Sequence, residues 1–191
     1  MTADRRADAA PAPSTATLEA LSPVDGRYAD KCAELRATFS EAALIRRRTR
    51  VEALWFLHLA RDLRLPELAG VTAPVLATAQ ALAQGGASDE AVAVKAEERR
   101  INHDVKAVEY YVRSRLAAAG ASEAQLEFVH FACTSEDVNN LSYALMLREA
   151  REDVLLPALD RLVRWLVEQA HAHAAMPMLS RTHGQPASPT T

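Results

Sequence analysis

The stretch HFACTSEDVNNLSYALMLREAREDVLLPALDRLVRWLVEQAHAHA, residues 130–174, decides how this chain folds. It opens on a polar cluster, His130, Thr134, Ser135, Glu136, Asp137, Asn139 and Asn140, and continues as one long helical pattern. Leu155, Leu159, Leu162, Leu166 and Ala170 recur at steps of three and four. That is the stripe of a helix packing along its whole length against other helices, so it needs partners. Thr134 stands three residues before Asp137, the capping-box arrangement in which a hydroxyl and a carboxylate satisfy the exposed amides of a first turn. The helix is therefore expected to start near Ser135. Thr134 and Ser135 suit two roles there: plain caps, or holders of a phosphate or carboxylate at the positive end of the helix dipole. Asn139 and Asn140, poor helix formers just inside the start, favour the second role. Pro157 falls within the pattern and predicts a kink or a short break.

Working outward, a chain of 191 residues that is 49% hydrophobic can fill the core of one domain or of two small ones. Only 5% is aromatic, so that core is built from Ala, Leu and Val. A net charge of -3 lacks the basic footprint of a nucleic-acid binder. No apolar run approaches a membrane span, and the first residues lack the apolar core of a secretory signal, which makes a cytoplasmic protein the default. Cys32 and Cys133 suit reduced thiols better than a disulfide framework. His171 and His173, two apart on a helix, face different ways and make a poor metal pair.

Residues 1–20, rich in Ala, Pro, Ser and Thr, have no apolar period and are expected to form a disordered tail. In Ser22 to Tyr28, Pro23 and Asp25-Gly26 spell a turn that delivers Arg27 and Tyr28 side by side at its exit. A planar guanidinium beside a phenol suits a phosphate; the same pair also suits a plain surface arginine with a half-buried tyrosine. Ser40 can cap a helix to about Asp62 with Leu44, Val51, Trp55 and Leu59 along one side, and His58 near that side reads as a core or boundary histidine. Arg46, Arg47, Arg48 and Arg50, with Glu41 and Glu52 among them, read as a solvated helix face.

Pro66 ends this segment, and Pro74 starts a helix to about Ala83. Gln84 to Ala87 is a break before a helix opened by Ser88, Asp89 and Glu90. Asn102-His103-Asp104 interrupts that helix. Asn or Asp can cap the next piece, whose stripe is Val105, Val108, Val112 and Leu116, and a histidine between an amide and a carboxylate also suits a polar ligand or a proton transfer. Gly120 closes the piece. After Ala174, Gly184 and Pro186 predict a loop displaying His183. No alternating stretch is long enough for a strand, which makes the fold all-α.

Together these segments resemble the adenylosuccinate lyase family, within the fumarase and aspartase superfamily. The matching pieces are SPVDGRY at 22–28, NHDVKAVEY at 102–110, FVHFACTSEDVNNLSYALML at 128–147 and LSRTHGQPA at 179–187, in order and in spacing. The resemblance implies an amino-terminal helical domain at 21–122 and, at 123–191, the first long helix of a central bundle. It implies beta-elimination across a carbon-nitrogen bond: fumarate leaves adenylosuccinate to give AMP, and leaves the succinylated aminoimidazole carboxamide ribotide of purine synthesis. Such chemistry takes a base that removes a proton beside a carboxylate, donors for the charge that develops, and an acid for the departing nitrogen.

By the resemblance, His183 is the acid and Arg27 and Tyr28 contact the nucleotide phosphate. Asn102, His103 and Asp104 contact substrate, Thr134 and Ser135 donate to the succinyl carboxylates, and His130 is a further histidine near the phosphate. No metal or organic cofactor is implied; a homotetramer is. The family's base lies on a mobile Ser-rich loop with no counterpart here, so the chain is expected to be an amino-terminal fragment, inactive alone. Two alternatives remain: another lyase of the superfamily, such as one acting on argininosuccinate, or a non-catalytic helical interaction module.

Overall fold

A computed structural model of the chain describes residues 19–85 and 89–191. The expected tail lies outside them except for Glu19 and Ala20, as do Gly86, Ala87 and Ser88 of the expected break. The helices are α1 (Arg36–Phe39), α2 (Glu41–Arg61), α3 (Ala73–Gly85), α4 (Glu90–Ile101), α5 (Asp104–Ala118), α6 (Glu123–Leu126), α7 (Ser135–Ala150) and α8 (Leu156–His173). Among the described residues no helix is long and apolar enough to cross a membrane.

Helix α2 is the axle. Ser40 caps it as its spacing predicts, the hydroxyl accepting from the Ala43 N–H at 3.2 Å. Helices α3, α5 and α7 pack around it. Phe56 and Leu59 of α2 meet Val75, Ala79 and Leu82 of α3, Val112 and Leu116 of α5, and Val129 in the connection to α7. All four members of the predicted α5 stripe are buried: Val105, Val108, Val112 and Leu116. Gly120 ends that segment at φ 98, where an L side chain would be strained. Cys32 and Cys133 are free thiols, half-buried.

Helix α7 starts at Ser135, as the capping box predicts. A π-helical turn, Arg151–Leu155, separates it from α8, whose first turn holds Pro157. The wider turn absorbs the bond that proline cannot donate, so the break falls where the proline predicts it. Helix α8 buries none of its residues; Leu159, Leu162 and Leu166 are each at least half exposed.

Three expectations are corrected. The segment after Ala174 is an antiparallel hairpin, β1 (Met178–Thr182) with β2 (Gln185–Thr190), not an irregular loop. Thr182 pairs with Gln185, which leaves His183-Gly184 as a turn at φ 49 and 77, the positive-φ pair that a tight hairpin requires. Because neither strand has a buried face, no apolar alternation marks it in the sequence. His58, expected as a core or boundary histidine, is exposed, bonded to Asp62 at 2.7 Å and stacked on Trp55. The inward face of α2 is only partly the expected one: Val51 and Leu59 are buried as expected, Leu44 and Trp55 are only half-buried, and Ile45, Thr49, Glu52 and Phe56 are buried beside them.

Candidate active site

The arginine cluster on α2 is not a solvated face. Arg48 is 6% exposed and Glu52 1%, one turn apart on the side facing α5 and α7. Arg48 donates through Nε to Asn139 Oδ1 at 2.9 Å, and its guanidinium meets Asp104 at 2.8 Å. One buried fork thus ties α2 to the first turn of α5 and the second turn of α7. Arg47 pairs with Glu149 of α7. Charge counting along the sequence misses this because the acidic partners lie on other helices.

At the α4–α5 junction Asn102 takes the left-handed conformation, φ 54, and its N–H closes α4 on the Glu98 carbonyl at 2.7 Å. Neither Asn102 nor Asp104 caps α5. His103 does, in extended backbone, its Nδ1 accepting from the Lys106 N–H at 3.2 Å. An accepting Nδ1 leaves the ring's proton on Nε2, facing away from the helix. Asp104 is held below the usual carboxylate range: burial opposes its ionisation, but the Val105 N–H and the Arg48 charge outweigh it.

The loop ahead of α7 is pinned from α2. Trp55 Nε1 donates to the Phe131 carbonyl at 2.8 Å, Ala132 is left-handed at φ 59, and the Cys133 N–H reaches the His130 carbonyl at 3.2 Å. His130 Nδ1 lies 2.6 Å from Glu52 Oε1. That bond raises the histidine above its ordinary value against the effect of burial, while burial pushes Glu52 up against the pull of His130.

Thr134 is the N-cap of α7. Asp137 accepts from its N–H at 2.7 Å and from its hydroxyl at 3.1 Å, which depresses the carboxyl. Asn139 and Asn140 have structural partners: Asn139 bridges Arg48 and Glu136, and Asn140 donates to the Glu136 carbonyl at 2.9 Å. Their presence near the helix start therefore does not require a ligand.

Arg48 thus joins the Asn102–Asp104 segment to the helix headed by Thr134 and Ser135, and Glu52 joins His130 to the same side of α2. No hydrogen bond or ion pair among the described residues links Arg27, Tyr28 or His183 to that group. Arg27 and Tyr28 are exposed beside the turn that Ser22 closes on Val24, and His183 is exposed at the hairpin tip. Sequence reasoning missed Arg48 and Glu52. The available signal was their step of three and four with Ile45, Phe56 and Leu59, a core period carrying two charges.

Residues 26–191 match the family described as Lyase, and the chain belongs to it. Among curated proteins it is similar to adenylosuccinate lyases. It is 45% identical to that of Escherichia coli (strain K12) over 175 residues, 92% of this chain and 38% of that protein. It is 46% identical to that of Vibrio cholerae over 174 residues, 91% of this chain and 38% of that protein. For Buchnera aphidicola subsp. Schizaphis graminum the figures are 38% over 175 residues, 92% and 38%. The chain spans about 38% of the length of these relatives.

Proposed function

We propose that this chain contributes the acid and most substrate-binding groups of a lyase that releases fumarate from adenylosuccinate and from the succinylated aminoimidazole carboxamide ribotide. What supports this most is the family match over residues 26–191, which takes in Arg27, Tyr28, Asn102 to Asp104, Thr134, Ser135 and His183. A base removes the proton beside a substrate carboxylate, the carbon-nitrogen bond breaks, and His183 returns a proton to the leaving nitrogen. At the amino end of α7, Ser135 donates to the succinyl carboxylates, as does Thr134 once its hydroxyl turns from Asp137 to the substrate, and the helix dipole favours that charge. Arg27 and Tyr28 hold the phosphate, and Asn102, His103 and Asp104 contact the rest of the substrate. Residues 21–122 form an amino-terminal domain and 123–191 begin the bundle through which a cytoplasmic homotetramer assembles. The exposed leucines of α8 support that assembly.

The test is fumarate release, followed by ultraviolet absorbance, from the complete gene product supplied with adenylosuccinate or with argininosuccinate. Turnover of adenylosuccinate alone is expected; preference for argininosuccinate overturns the substrate, and no turnover of either overturns the reaction. Supplied as these 191 residues alone, the protein should release no fumarate.

A further inference from the structure

We propose that Glu52 is a positioning residue that grips His130 by Nδ1 so that the opposite nitrogen, Nε2, is presented as an N–H donor to an anionic oxygen of the substrate. The proposal rests on the lyase reading above. Glu52 is 1% exposed, whereas the His130 side chain is 20% exposed, so the carboxylate is out of water and the ring keeps an open edge. The nitrogens lie on opposite edges of an imidazole. With Nδ1 directed at Glu52, at 2.6 Å, Nε2 lies on the edge opposite that buried carboxylate, and a carboxylate partner favours the charged ring, which carries both N–H groups. The backbone is held too, by Trp55 on the Phe131 carbonyl and by the left-handed Ala132.

Stability does not explain the carboxylate. Glu52 occupies a core stripe with Ile45, Phe56 and Leu59, where a leucine would pack without a desolvation cost. Its second oxygen, Oε2, is buried with no hydrogen-bond partner among the described residues. The bond its other oxygen makes goes to a histidine in the loop that leads into Thr134 and Ser135. The other charges acting on this pair are Glu109 and Lys106 of α5 and Asp137 of α7, with the Cys133 thiol nearby in the loop. Lys106 donates to Glu109 at 2.7 Å, which offsets that carboxylate and leaves Glu52 as the direct partner of the ring. The bond to Glu52 also holds the His130 pKa above its ordinary value.

Long-range proton-nitrogen NMR of the 15N-labelled complete gene product, titrated with pH, reads both midpoint and tautomer of His130. In the unsubstituted protein the midpoint should lie above that of a free histidine, and the neutral ring should be the Nδ1–H tautomer. Glu52→Gln should lower the midpoint, since an amide accepts the bond without the charge. Glu52→Leu should free the tautomer as well; the leucine extends the apolar stripe and the ring can shed its proton.

With adenylosuccinate, both variants should lose kcat/KM by about tenfold or more, on the scale of removing a residue that orients an active-site histidine. In Glu52→Gln the basic limb of the pH profile should move to lower pH. An unchanged His130 midpoint in Glu52→Gln overturns the proposal, as does full kcat/KM in a folded Glu52→Leu protein. If neither variant folds, the unsubstituted protein decides: an Nε2–H neutral tautomer overturns the grip and Nδ1–H supports it. Absent fumarate release by the unsubstituted protein would sink the lyase reading, while the titration would still decide the pairing.

Discussion

Helices α2 and α8 have opposite fates. Over 21 residues α2 buries an arginine and a glutamate; over 18 residues α8 buries nothing and exposes its leucines. Residue type alone would predict the reverse. What differs is the neighbourhood: α2 lies among α3, α5 and α7, where Asp104, Asn139 and, in the loop before α7, His130 meet its charges, while α8 extends from a π turn with no helix among the described residues packed along it. A charge enters a core when fixed partners replace its water, and a leucine stays outside when nothing covers it.

The largest expected effect belongs to the uncovered half. If His183 protonates the leaving nitrogen, His183→Ala in the complete gene product should lower kcat by about a hundredfold to ten-thousandfold, with KM nearly unchanged. A folded variant with near-normal kcat would remove the acid assignment and leave the chemistry to the packed half. By contrast, Arg27→Ala should mainly raise KM if Arg27 holds the phosphate equally in ground and transition states.

Next comes the packed half itself. Arg48→Ala leaves Asn139 and Asp104 without their shared partner, and should cost about 1.5–3 kcal/mol in urea unfolding; a value near the lower end fits an Asp104 that is half exposed. Amide exchange should quicken first at the starts of α5 and α7. Unchanged stability with unchanged exchange would mean that the buried fork holds nothing together.

A smaller effect tests the cap between the two regions. Thr134→Ala should cost about 1 kcal/mol and fray α7 from its first turn. The pH dependence has the same origin. Asp137 is depressed by the Thr134 N–H and hydroxyl, so its contribution is complete above the ordinary aspartate range and is lost as pH falls through its folded-state value. Amide exchange of Asp137 and Val138 that stays slow through acid would contradict that reading.

The smallest effect on folding is expected on α8. Leu159→Gln with Leu166→Gln should change unfolding free energy by less than about 0.5 kcal/mol each, because neither side chain is packed in this chain. Association should respond instead. The unsubstituted chain should sediment as a self-associated species and the double variant as a smaller one, since large exposed apolar faces are sticky. A clean monomer before substitution would mean that the leucine face seeks no partner.

Much was legible in advance. Ser40, the Thr134–Asp137 box, the α5 stripe, Gly120 and Pro157 act through bonds within a few residues of themselves, and each does what its spacing predicts. The hairpin was not legible, because exposure on both faces erases the alternation that marks a strand. The capping role of His103 was hidden by the better-known caps on either side of it.

The sequence by itself determined most helix starts and stops, the apolar stripes and the motifs by which the chain matches the Lyase family. These depend on local hydrogen bonding and on a period of 3.6 residues, both written along the chain. Only the tertiary structure decided that Arg48 and Glu52 are buried and that each holds a different segment of the candidate site. The partners of Arg48 lie 56 and 91 residues away, and that of Glu52 lies 78 residues away. No local pattern encodes such a meeting, because a charged side chain finds its partner only after the helices have packed.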